Sequence, residues 1–348
     1  MLRIAILLTA FALAFVSGVG PQPAAADEVN LYSYREPALI KPILDEFTKQ
    51  TGIKVNSVYV DKGMLERLKA EGANSPADAV LTVDVGRLED MAEAGVLQPI
   101  KSTVVDRNIP AQYRHPDNLW VGLTTRARVF IVSKDRVKPG EVTTYADLAK
   151  PALKGRVCTR SGKHDYNVSL IAAMIDRHGE AGAKKWLNGV KANLARKPQG
   201  SDRSQAKAIM EGACDVALLN TYYVGHMATN EKEPEQKAWI NAVNIVFPDQ
   251  AGRGAHVNIS GAALTKGAHN KAAAIRLIEF LSGDFTQKLY AELNFEFPVK
   301  PGAALHPLVA SWGPFKADSA GLLGVAKHRA AASRLVDETG FDGAPGGS

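Results

Sequence analysis

Short apolar runs recur along this chain with helical apolar stripes between them. Val29-Asn30-Leu31-Tyr32-Ser33 alternates as a half-buried strand does, and after Arg35-Glu36-Pro37 the residues Leu39, Ile40, Ile43, Leu44 and Phe47 fall on one helical face that Gly52 ends. Ile53, Val55 and Val58 to Val60 predict a second strand, with Met64, Leu65 and Leu68 on the next helix. Ala79 to Val83 predicts a third strand, Arg87 to Ala94 a third helix, and Gly95 its stop. Strands alternating with helices in this way predict βαβ units and a mostly parallel sheet. Leu119 to Val132 breaks the rhythm, because it carries strand-forming residues well beyond the usual strand of about five or six. A run of that length can pass from one domain into another, and the crossing is placed near Arg128.

A second α/β set follows. It has a short helix around Tyr145 to Ala149, the strand Arg156 to Thr159, the loop Arg160 to Asp165, and a helix with Val168, Ile171, Ala172 and Ile175 on one face, closed by Gly179. Trp186, Leu187, Val190 and Leu194 mark another helix, and Gln205 to Glu211 one more. The continuous apolar run Val216 to Leu219 suits a strand buried on both faces. Ile245-Val246-Phe247 and Ile259 to Leu264 are further strands, and the loop Asp249 to Gly254 between them is the expected return crossing. Ala272 to Leu281 is an apolar helix and Phe295 to Pro301 an extended segment. The expected organisation is an N-lobe of residues 27–127 plus 252–302 and a C-lobe of 128–251 plus 303–348.

With 348 residues, 46% of them hydrophobic, the chain can bury two cores. Residues 1–26 read as an export signal: Arg3, an apolar run from Ile4 to Val16, and Ala24-Ala25-Ala26 before Asp27. No later segment approaches the length a bilayer requires. The formal charge of +6 is carried by scattered residues rather than blocks, which argues against a nucleic-acid groove. Cys158 and Cys214 both lie beside strand-like runs, and in an exported chain a disulfide is the natural reading, with two buried thiols as the alternative. There is no Gly-x-Ser-x-Gly elbow, no His-Glu-x-x-His and no nucleotide-binding glycine loop, so an enzyme is disfavoured.

The chemistry concentrates on tyrosine. Tyr222 and Tyr223 fall just past the strand Val216 to Leu219, and Tyr166 just past the strand Arg156 to Thr159. Both places are carboxyl ends of strands, where ligands bind in open α/β sheets. A free phenol has a pKa near 10, so three of them make poor acid–base groups, but a hard trivalent cation can hold them as phenolates. Zinc favours Cys and His, and calcium or magnesium favours carboxylates, carbonyls and water. A cluster of phenols alone points to iron(III). The alternative within the same fold is a receptor for an organic or oxyanion ligand, with the tyrosines stacking or donating hydrogen bonds.

The stretches Leu31-Tyr32-Ser33-Tyr34-Arg35, Thr124-Thr125-Arg126-Ala127-Arg128-Val129, Tyr166-Asn167 and Asn220-Thr221-Tyr222-Tyr223 together resemble the periplasmic ferric-iron-binding proteins of ABC transporters. The resemblance runs from the first strand to Trp312-Gly313-Pro314-Phe315. It implies the bilobed periplasmic-binding-protein fold of type II, an α/β fold of two domains joined by a hinge of crossing strands. It further implies a periplasmic monomer that holds Fe(3+) between the lobes and hands it to an inner-membrane permease and its ATPase. Tyr166, Tyr222 and Tyr223 take the place of the family's metal ligands. The chain departs from the family at Glu36-Pro37, where some members carry a His or Tyr ligand. Pro37 has no ligating side chain, and Glu36 is read as a solvated loop carboxylate; Tyr32, Tyr34 and Tyr59 are read as packing aromatics, with Tyr34 the first of them to test as a ligand. The coordination positions left open would take a small anion such as carbonate, as in tyrosine-only members, with Arg35 and Arg126 as its guanidinium partners. His164 is read as a polar loop histidine, Ser161-Gly162-Lys163 as a turn before an anion nest, and Asp78 and Asp84 as ordinary loop carboxylates.

Overall fold

The computed structural model describes residues 28–318 and 321–343, so the export signal lies outside the described residues. The first lobe is built from β1 (Glu28–Ser33), α1 (Pro37–Thr51), β2 (Lys54–Tyr59), α2 (Met64–Glu71), β3 (Ala79–Thr82), α3 (Val85–Glu93), β4 (Leu97–Gln98) and α4 (Thr103–Asn108). Ile40, Ile43, Leu44 and Phe47 of α1 are buried, as their spacing predicts, and Gly52 closes the helix in a left-handed conformation at φ 73° that suits a residue without Cβ.

The long run forms β5 (Trp120–Ser133), and every one of its residues is buried. Its first half pairs with β9 (Val257–Thr265), from Trp120 opposite Ala263 to Ala127 opposite Val257. Its second half pairs with β7 (Val216–Asn220), from Arg128 opposite Asn220 to Val132 opposite Val216. The change of partner falls at Ala127–Arg128, so one unbroken strand belongs to both lobes. Between these strands come β6 (Val157–Cys158), α5 (Asp165–Ala192), α6 (Asp202–Met210), α7 (Thr221–Ala228), α8 (Glu235–Asn241) and β8 (Val243–Val246). Gly179, at φ 69° and ψ 168°, interrupts α5 where the pattern places a helix end. The chain finishes with α9 (Lys271–Ser282), α10 (Asp284–Asn294), β10 (Phe297–Pro298), α11 (Pro307–Ala310), α12 (Leu322–Lys327) and α13 (Arg329–Glu338).

The expectation of a mostly parallel sheet is corrected. The pairs β1–β2, β1–β3 and β6–β7 are parallel, but every pairing made by β5 or β9 is antiparallel. These two strands run in opposite directions along the seam between the lobes, so each lobe's sheet acquires an antiparallel member from the crossing itself. One side of the seam is a core of Val29, Leu31, Phe47, Leu81 and Leu277 with their neighbours. The other is a core of Phe130, Val157, Ile171, Leu187 and Leu218. Cys158 and Cys214 are bonded, with Cα atoms 5.9 Å apart, and tie β6 to the residues leading into β7. No described helix is long and apolar enough to cross a membrane.

Candidate metal-binding cleft

Tyr222 and Tyr223 occupy the first turn of α7, directly after β7 ends at Asn220. That turn is tied to the crossing strand: the Ala127 amide donates to Thr221 Oγ1 at 3.3 Å and Arg128 Nη1 to Asn220 Oδ1 at 3.2 Å. Tyr166 lies in the first turn of α5, where His164 Nδ1 accepts from its amide at 3.3 Å and caps the helix. Asn167 fixes the preceding loop. Its Nδ2 donates to Thr159 Oγ1, Arg160 O and Ser161 O at 3.0, 3.0 and 3.1 Å, while its Oδ1 accepts from Arg128 Nη2 at 2.9 Å.

The three phenols meet. Tyr166 Oη and Tyr222 Oη are 2.8 Å apart, and the Tyr222 and Tyr223 ring centroids lie 4.3 Å apart. All three line one cavity of about 340 Å³ between the lobes, with Tyr34, Arg35, Glu36, Tyr59, Arg126 and Glu296 among its other walls. Burial, then the neighbouring Tyr166 and Tyr223, raises the Tyr222 phenol well above its ordinary pKa, and burial raises that of Tyr223. A ligand that takes them as phenolates must therefore displace protons.

Four guanidiniums surround the phenols. Those of Arg126, Arg128 and Arg160 lie 5.7, 5.9 and 5.3 Å from the Tyr166 ring centroid, and that of Arg203 lies 5.0 Å from Tyr223's. Two fully buried carboxylates stand near them: Glu296, paired with Arg35 at 2.7 Å, and Asp202, which pairs with Arg128 at 2.5 Å and Arg160 at 3.1 Å and accepts from the Asn220 amide at 2.9 Å. Among the described residues, Arg126 and Arg203 pair with no carboxylate; Arg126 Nη2 donates to the Val83 carbonyl, and its buried Nη1 has no partner. Arg126 and Arg203 thus leave positive charge beside the phenols, which favours bound negative charge.

Arg35 reaches the cavity wall, but its charge is already met: Nη2 donates to Glu296 at 2.7 Å and to Ser260 Oγ at 2.5 Å. Glu36 is exposed at the rim. Tyr34 lines the cavity under the Arg87 guanidinium, 3.8 Å from its ring centroid, and its hydroxyl accepts from the Met64 amide at 3.1 Å. Tyr32 is a core residue whose hydroxyl donates to Glu71. Ser161 and Gly162 bind no external anion, because Asp342 of the same chain accepts from both. Asp78 and Asp84 are not ordinary loop carboxylates. Asp78 is fully buried and accepts from the Asn30 and Asn270 amides, and Asp84 caps α3 by accepting from the Gly86 and Arg87 amides.

Asp202, Arg128, Arg160, Arg203 and Glu296 escaped sequence reasoning. The only local signal was Ser201-Asp202 after Gly200, which reads as a helix cap, and Ser201 does cap α6. Among the described residues no three His, Cys, Asp or Glu side chains gather as a metal site, whereas three phenols meet in this cleft.

Residues 74–317 match the family model described as bacterial extracellular solute-binding protein. The chain is 42% identical over 325 residues to iron uptake protein A1 of Synechocystis sp., covering 93% of this chain and 90% of that protein. It is 27% identical over 298 residues to the major ferric iron-binding protein of Neisseria meningitidis serogroup B, covering 84% and 86%. Among solved structures it is similar to apo ferric ion-binding protein A of Pasteurella haemolytica, with a TM-score of 0.87 and 53% identity over 91% of this chain and 99% of that one. A Trichodesmium protein solved in complex with iron and citrate ligands gives a TM-score of 0.85 and 43% identity over 90% and 99%.

Proposed function

This chain belongs to the bacterial extracellular solute-binding protein family, and from that premise we propose that it captures ferric iron in the cleft between its lobes and delivers it to the inner-membrane permease and ATPase of an ABC transporter. Its fold is the bilobed α/β fold of periplasmic binding proteins. The observation that carries the reading is the convergence of Tyr166, Tyr222 and Tyr223 on one cavity, with no group of three His, Cys, Asp or Glu placed to hold a metal among the described residues. Three phenolates neutralise a trivalent ion and suit its hardness. The chain acts as a monomeric periplasmic carrier rather than an enzyme.

A companion anion follows from the charges. If the phenolates balance the ion, Asp202 pairs with only Arg128 and Arg160, and among the described residues Arg126 and Arg203 stay without a carboxylate pair. A planar oxyanion such as carbonate, seated on the free edge of Arg126, supplies negative charge and two oxygens. Arg35, neutralised by Glu296, serves at most to shape the wall. Closure takes place about the crossing at Ala127–Arg128 and the return strand that faces it at His256–Val257.

The same positive field supports a second reading, an oxyanion or organic-anion receptor in which the phenols only donate hydrogen bonds. Metal analysis and absorbance of the natively purified protein separate the two. Iron near one equivalent with a visible phenolate-to-iron band, lost on chelation, is the expected result. A colourless protein that takes up no ferric iron but retains an organic anion would replace the first reading with the second.

A further inference from the structure

The C-terminal segment straddles both lobes. Leu322 at the start of α12 packs into the first-lobe core with Tyr32, Met64, Leu88 and Met91. Val325, Ala332, Leu335 and Val336 pack into the second-lobe core with Ile171 and Leu187. Where α12 gives way to α13, Arg329 turns toward the seam, with only 17% of its side chain exposed. Its Nη1 donates to Asp84 Oδ1 at 2.7 Å, on the cap of the first-lobe helix α3, and its Nη2 to Asp165 Oδ1 at 3.4 Å, on the first turn of the second-lobe helix α5. Arg87 of α3 closes the ring by donating to Asp165 Oδ2 at 2.5 Å. Asp84, Arg329, Asp165 and Arg87 are thus linked across the seam, with Asp90 of α3 a further carboxylate 4.0 Å from Arg329 Nε, beside Tyr166 but outside its cavity wall on the Arg329 side.

Gly86 shows that the first lobe is shaped for this arginine. Its backbone does not require glycine, yet a Cβ there would stand 1.7 Å from Arg329 Cδ and 2.3 Å from its Nε. The stem of Arg329 therefore lies directly on the first turn of α3. Long side chains that pack their stems and pair their heads lose more when cut than a surface ion pair does.

Resting on the interlobe-cleft reading above, we propose that Arg329 is a positioning residue for cargo retention: the C-terminal segment is a clasp that holds α3 against α5 and sets how long the cleft stays shut. Opening the cleft must pull Arg329 from its notch on Gly86 and break its bond to Asp84. The residue touches neither the phenols nor the anion position, so it acts on closure and not on coordination.

The test compares wild type with Arg329→Ala, Arg329→Lys and Gly86→Ala, the last leaving every charge in place. Small-angle scattering of the metal-free proteins reads closure, and stopped-flow transfer of iron(III) to excess EDTA reads retention. Arg329→Ala and Gly86→Ala are expected to enlarge the radius of gyration and release iron at least about tenfold faster, with the visible band unchanged and Arg329→Lys intermediate. Wild-type radii and release rates in both variants would overturn the clasp. So would a shifted band, which would place Arg329 in coordination. If the wild type takes up no iron, the proposed cargo is wrong, while the scattering of the metal-free proteins still decides the clasp.

Discussion

Replacing Tyr222 with Phe keeps the ring and removes one oxygen, and the structure fixes what that should cost. The hydroxyl's hydrogen-bond partner is Tyr166 Oη at 2.8 Å, and Tyr166 faces the same open cavity, where water can replace the lost partner. A net hydrogen bond is worth about 1 kcal/mol, so the metal-free fold should lose about that or less. The effect on iron is of another order. One of the three phenol ligands disappears, and with it one proton released on binding, because burial holds the Tyr222 phenol protonated. The apparent affinity of Tyr222→Phe should therefore rise less steeply with pH than that of wild type, by up to about one decade per pH unit. Loss of a direct ligand should exceed the 10- to 100-fold typical of groups one step removed from a metal, so a fall of more than about 100-fold is expected at neutral pH. Titration against a competing chelator at several pH values, with the visible band as the signal, measures both quantities. An unchanged slope with unchanged colour would refute ligation by Tyr222, and the same result for Tyr166→Phe and Tyr223→Phe would remove the tyrosine site altogether.

Asp202 alone offsets two buried guanidiniums, so Asp202→Asn should destabilise the protein by about 3–5 kcal/mol in urea titration, whereas exposed pairs such as Lys41–Asp45 should be nearly silent when cut. His256 is buried beside Ser169, and burial followed by the nearby Arg126, Arg128 and Arg177 pushes its pKa down to about 3. The unfolded chain takes up this proton below its ordinary pKa of about 6.5 and the folded chain does not, so the contribution is intact above that pH and is lost as pH falls from there toward 3. At pH 5 the loss should be about 2 kcal/mol, and His256→Asn should remove that part of the slope in denaturation measured at pH 7.5 and pH 5. Reduction of Cys158–Cys214, whose separation is 56 residues, should cost about 4 kcal/mol by the chain-entropy estimate; mass spectrometry of the alkylated, unreduced protein should find no free thiol.

The alternation of apolar stripes was enough to place β1, α1, β3, α3 and β7 within a residue or two, because a strand or helix buries one face and that face leaves a period in the sequence. The overlong run announced a strand shared between lobes for the same reason: all of β5 is buried, so all of it is apolar or small apart from the polar stretch at the crossing. That the three tyrosines meet was legible from their shared place past strand ends, and they do line one cavity. What the pattern could not carry was direction and partnership. Apolar periodicity is the same for parallel and antiparallel strands, so the antiparallel seam made by β5 and β9 had no signature. Charge is the starkest case. Arg126, Arg128, Arg160, Arg203 and Asp202 are scattered like surface residues in the sequence, and only the fold brings them round one ring and buries Asp202 between two of them. Arg329 is further still from its partners, 245 residues beyond Asp84, and its pairing was settled entirely by where the C-terminal helices pack. Local burial writes itself into neighbouring residues; ion pairs between distant segments exist only once the lobes have been assembled.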